Sequence, residues 1–162
     1  MFVRYFIELP YAASDVERAF TAAPAAWLPL VAQQAHLRGE RLLADVGIGD
    51  GLRIAHTVEM AVGSPMDLPT KLVVPLSWTP TGSRGMLPSM EADIEIAPLG
   101  AEGCQLAMSA RYDPPLHAIG KILDQTVLFR VAEATVKDFL DRVGEGIRRE
   151  MGVGALGTGI NG

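Results

Sequence analysis

Residues 116–149 constrain the fold of this chain more than any other segment. They follow the Pro114-Pro115 pair, contain no further proline, and repeat their apolar residues at helical spacing. Leu116, Ile119, Leu123, Val127, Val131 and Ala134 form one apolar line. Leu128, Ala132, Val136, Phe139, Val143 and Ile147 widen and rotate it. Asp113 can cap the start, and Pro114 suits the first helical position. A helix of ~30 residues is ~45 Å long, far beyond the three turns of an average helix. An element of that length has to be wrapped by the rest of the domain. Gly144 and Gly146 are expected to loosen its end. The Gly-rich residues 151–162 predict a flexible tail behind a single domain over residues 1–150.

What precedes this helix reads as strands. From Arg41 the apolar period is two, and residues 41–46 form a candidate strand before the Gly47-Ile48-Gly49-Asp50-Gly51 turn. In residues 52–62, Ile54, His56, Val58, Met60 and Val62 share one face. Residues 71–79 gather Leu72, Val74, Leu76 and Trp78, with Pro75 predicting an edge or a bulge. Met90, Ala92, Ile94 and Ile96 alternate with Glu91, Asp93 and Glu95. Cys104, Leu106, Met108, Ala110 and Tyr112 alternate with Gln105, Ala107, Ser109 and Arg111. This is the pattern of an antiparallel sheet with one wet and one apolar face, and the long helix is the element large enough to cover the apolar side.

The chain begins with a strand over residues 2–9. Ser14 and Glu17 then have the form of a capping box, and Val16, Ala19, Phe20 and Ala23 mark a short amphipathic helix. Pro24 opens a second helical piece with Trp27, Leu30, Val31 and Gln34 on one face and Pro29 as a kink or stop.

The chain has 162 residues, which suits one domain, and a net charge of −5 with its basic residues scattered, which argues against nucleic acid as a partner. Cys104 is the single cysteine, so no intramolecular disulfide exists. No run is long and apolar enough for a membrane span, no signal-peptide layout is present, and a cytoplasmic location is expected. No cofactor is implied. His36, His56 and His117 are too far apart in sequence, and too far from other ligand types, to suggest a metal site.

A strand, two short helices, a run of antiparallel strands and a long final helix is an uncommon order. It resembles the helix-grip fold of the START-related, or SRPBCC, superfamily, which includes the birch-pollen allergen family, lipid-transfer START domains and polyketide cyclases. Ile7-Glu8-Leu9-Pro10 with Ser14-Asp15-Val16 resembles that family's strand-to-helix entry, and residues 129–140 look like its terminal helix. The resemblance covers about residues 2–149. It implies an α+β domain in which a curved antiparallel sheet of six or seven strands wraps the C-terminal helix, with two short helices after the first strand. It also implies a cavity for a hydrophobic molecule. A further strand is expected near residues 64–69.

The expected lining is Ile54, His56, Val58, Met60, Val74, Leu76, Trp78, Met90, Ile94, Leu106, Met108, Tyr112, Leu116, Ile119, Leu123 and Val127. His56 and Tyr112 are the candidate catalytic residues. A histidine on the apolar face titrates near neutral pH and suits proton transfer, although a buried histidine with one hydrogen bond is the plainer reading. Trp78 and Tyr112 each carry one polar handle on a large apolar body, although an ordinary core role is the plainer reading for both. Arg111 and Arg130 read as surface or flank charges, with a cavity-facing role as the less ordinary alternative. The glycine loop reads as a tight turn. The leading expectation is binding of a lipid, acyl or polyketide-like compound. A polyketide cyclase/aromatase-like enzyme and a protein-interaction module are the alternatives, and a homodimer is compatible with either.

Overall fold

The computed structural model describes residues 1–45, 57–81, 89–113 and 125–157. The glycine loop, Ile54, His56, Leu116, His117, Ile119 and Leu123 lie outside the described residues. The elements run β1 (Phe2–Leu9), α1 (Ala13–Thr21), α2 (Pro24–Asp45), β2 (Thr57–Val62), β3 (Met66–Leu68), β4 (Lys71–Thr81), β5 (Ser89–Pro98), β6 (Cys104–Asp113) and α3 (Gln125–Gly157). Six strands form one curved antiparallel sheet in the order β1-β6-β5-β4-β2, with β3 also paired to β4. The strand expected near residues 64–69 is β3.

The alternation in β4, β5 and β6 sorts the sheet faces as the sequence predicts. Val74, Leu76, Trp78, Met90, Ile94, Leu106, Met108 and Tyr112 are buried on the inner face, and Glu91, Asp93 and Arg111 are exposed on the outer one. Pro75 does not mark an edge, because β4 lies between β5 and the β2–β3 pair. Its carbonyl accepts from the Gly63 N–H at 2.8 Å. The nitrogen of Pro75 therefore faces the break between β2 and β3, where no ladder donor is needed. A Cβ on Gly63 would come within 3.1 Å of the Pro75 ring, so glycine is what lets the two segments meet.

Two helices follow β1, and the second differs from expectation in extent and face. Residues 41–45 belong to α2 and not to a strand. Arg41, Leu42, Leu43 and Ala44 are good helix formers, and extending a helix requires no new nucleation. Pro29 lies inside α2 without ending it. The buried face is Leu28, Ala32, Ala35 and His36, whereas Leu30 is 61% exposed. The predicted capping box does not form either. α1 starts at Ala13, so Ser14 is already helical, and the Ala12 carbonyl receives the Asp15 and Val16 N–H groups at 3.0 and 3.2 Å.

α3 buries Leu128, Val131, Ala132, Val136, Phe139, Leu140, Val143 and Ile147. It continues to Gly157, past the point where the glycines predict fraying, with Met151 packed against the core. Gly144 permits close packing on β1: a Cβ there would run into Ile7 Cδ1. Tyr5 fixes the same contact by donating to Asp141 at 3.2 Å and accepting from Lys137 at 3.1 Å. Asp138 and Gln34 both receive Arg142, at 2.7 and 3.1 Å, which ties α3 to α2.

Candidate functional site

Register places one inner-face residue from each of four strands in a continuous row. Met60 pairs with Trp78, Trp78 with Met90, and Met90 with Tyr112. Backbone bonds extend the row to Met1, whose carbonyl accepts the Tyr112 N–H and whose ammonium donates to the Tyr112 carbonyl, both at 2.8 Å. Two methionines and two aromatic rings thus run across the sheet beneath α3. Thr57, Thr81, Ser89 and Asp113 lie at this end of the sheet. α1 packs over the other end, against β5 and β6.

The row is sealed on one side and less so on the other. Trp78, Met90 and Tyr112 are no more than 3% exposed, while Val58, Met60 and Val62 on β2 and Val127 on α3 are only half-buried. Trp78 meets the Phe139 ring edge-on, with centroids 5.2 Å apart. Tyr112 donates its hydroxyl to the Ala132 carbonyl of α3 at 3.0 Å. Burial pushes the Tyr112 phenol well above its ordinary range. At neutral pH the hydroxyl is a neutral donor, and it is committed to the helix backbone. Parity placed Tyr112 inward, but nothing in sequence spacing could reveal a partner on a helix with which it shares no local register.

Of the expected lining, β4, β5 and β6 bring Val74, Leu76, Trp78, Met90, Ile94, Leu106, Met108 and Tyr112 into one core, with Val58 and Met60 at its margin. Arg111 and Arg130 are exposed, so neither faces the interior. Cys104 is buried at the α1 end, where burial first and the Glu17 carboxylate second push its thiol up, which favours the protonated thiol at neutral pH. Among the described residues, no three His, Cys, Asp or Glu side chains gather as metal ligands. No described helix is long and apolar enough to cross a membrane.

Two surface depressions lie elsewhere. One, of about 400 Å³, sits on the outer sheet face among Phe2, Pro75, Glu91, Asp93 and Arg111. The other, of about 470 Å³, lies between the helices and is lined by Trp27, Leu30, Val31, Gly146 and Ile147 with Arg142 and Glu145 among its charged residues. Both are open and carry charged side chains, Glu91, Asp93 and Arg111 in the first and Arg142, Glu145, Arg149 and Glu150 in the second.

A curved antiparallel sheet, two helices inserted after the first strand and a long terminal helix across the inner face define the helix-grip fold. Solved structures similar to the chain include a conserved protein from Geobacillus kaustophilus, with a TM-score of 0.52 at 15% identity over 92% of this chain and 96% of that one. A START superfamily protein from Mycobacterium smegmatis gives 0.46 at 10% identity, covering 91% of this chain and 97% of its own. The Zhui aromatase/cyclase from Streptomyces sp. R1128 gives 0.38 at 13% identity, covering 88% and 93%. No protein-family model matches the chain, and no curated protein sequence does.

Proposed function

We propose that the chain binds a hydrophobic small molecule, of lipid, acyl or polyketide-like chemistry, at the β2 side of the inner sheet face. The observation that carries this reading is the change in cover along the inner row, from fully buried Trp78, Met90 and Tyr112 to half-buried Met60, with Val58 and Val62 beside it and Val127 on α3. Apolar surface left half-covered at the margin of a packed core is favourable ground for an apolar guest, because each buried CH₂ contributes roughly 0.8 kcal/mol. Methionine thioethers adapt to guests of different shape. A binding role is favoured over the cyclase-type alternative because the Tyr112 hydroxyl already serves the Ala132 carbonyl.

The test is native mass spectrometry of freshly purified protein, solvent extraction of whatever it carries, and titration with an apolar fluorescent probe. The expected result is an apolar adduct or saturable probe uptake. Met60→Glu should abolish it by placing a carboxylate in the site, while Leu30→Glu in the interhelical groove should leave it intact. Neither adduct nor uptake, or loss with Leu30→Glu instead, would overturn the assignment.

A further inference from the structure

The open edge of the sheet carries an inference independent of any ligand. β1 is the terminal strand, and it pairs with β6 over eight consecutive residues from Phe2 to Leu9. Among the described residues, no backbone hydrogen bond from another element reaches its other side. Proteins usually blunt such an edge with lysines, bulges, prolines or short strands. β1 has no lysine, no bulge and no proline before Pro10. Its outer face presents Phe2 and Phe6, 55% and 52% exposed, in alternation with Arg4 and Glu8.

We propose that a second copy of this chain covers the edge, with the two β1 strands antiparallel about a two-fold axis at Phe6. The charge pattern selects this partner and this register. Centring the pair on Arg4 would set two guanidinium groups opposite each other, which is unfavourable. Centring it on Tyr5 would leave Arg4 opposite Phe6 and Glu8 opposite Phe2. Centring it on Phe6 places Phe6 against itself and each Arg4 against Glu8 of the other copy. On the inner side the same register sets half-buried Tyr5, whose hydroxyl stays with Asp141 and Lys137 of α3, against Ile7, and buried Val3 against Leu9. The contact is isologous and closes after two copies, joining the sheets into one. Arg4 now makes a long 3.4 Å contact with Glu95, which also has Lys71 at 3.0 Å, so Glu95 keeps a cation when Arg4 turns to the edge.

Sedimentation velocity on the full chain over a concentration series tests the association, and cysteine crosslinking tests the register. The wild type should sediment as a dimer at the upper concentrations. Phe6→Asp, which opposes two carboxylates at the axis, should weaken association by more than about tenfold with unchanged far-UV circular dichroism. Phe6→Cys should form a disulfide-linked dimer on mild oxidation. Arg4→Cys should not, and wild-type protein, whose Cys104 is buried, is the blank. A wild type that stays monomeric throughout would overturn the proposal, as would a dimer indifferent to Phe6→Asp or crosslinking through Arg4→Cys in preference to Phe6→Cys.

Discussion

Phe139→Ala is the sharpest test of how α3 is held on the sheet. The ring is fully buried and meets Trp78 edge-on at 5.2 Å between centroids. Truncating a buried Phe to Ala costs about 3–5 kcal/mol when the surroundings cannot collapse. Part of that is the aromatic pair itself, worth about 0.5–1.5 kcal/mol. Phe139→Leu keeps most of the volume and loses mainly the pair, so its cost should stay near 1–2 kcal/mol. With a urea slope of about 2 kcal/mol/M, the alanine variant should lower the unfolding midpoint by about 2 M and the leucine variant by under about 1 M. Equilibrium urea unfolding, followed by circular dichroism and by tryptophan emission, measures both. The emission of the folded alanine variant should also shift, since Trp78 loses its ring neighbour. A loss below about 1 kcal/mol for Phe139→Ala would mean that the ring does not sit in a packed core and that the inner row has no sealed side.

Two further substitutions probe contacts that the sequence conceals. Tyr112→Phe removes one buried hydrogen bond and should cost about 0.5–1.5 kcal/mol by thermal or urea unfolding. The folded phenol is held above its unfolded value, so its contribution is complete below pH 10 and is lost as pH rises beyond that. The variant should therefore show a shallower alkaline loss of stability than the wild type. Gly144→Ala should gain about 1 kcal/mol of helix propensity but lose about 1–3 kcal/mol to the clash with Ile7 Cδ1. In an Ile7→Val background that methyl is gone, and the same Gly144→Ala change should become stabilising. A double-mutant cycle without this reversal would disprove the close approach of α3 to β1.

Periodicity made the central part of the structure legible. Alternation in β4, β5 and β6 assigned their faces, and the 128–147 stripe identified the buried side of α3. It was less informative where small residues make the contact. The core face of α2 contains Ala32 and Ala35, and the bulkier Trp27, Leu30 and Val31 drew the expected face one step around the helix. Residues 41–45 were misread because a short apolar run at the end of a helix has too few residues to display its period. Pro75 predicts an edge or a bulge; the edge does not occur, and three residues, 63–65, stand against residues 74 and 75 at the break between β2 and β3. Gly144 looked like a loose helix end, and only the presence of Ile7 beneath it shows a packing role. For the candidate site, strand parity supplied the inner row, but its uneven burial and the link from Tyr112 to Ala132 required the packing of α3.

The pairing of β1 with β6 also sets the order in which the chain can fold. Phe2 lies opposite Arg111 and Leu9 opposite Cys104, and β6 is the strand neighbour of β1 in the sheet order. The first strand made is therefore among the last to find its place, after about 100 further residues have been synthesised. At ordinary translation rates that is a wait of roughly 5–20 s. Throughout it, Phe2 and Phe6 lack the strand that pairs them in the folded sheet, a state that invites chaperone capture or premature strand exchange.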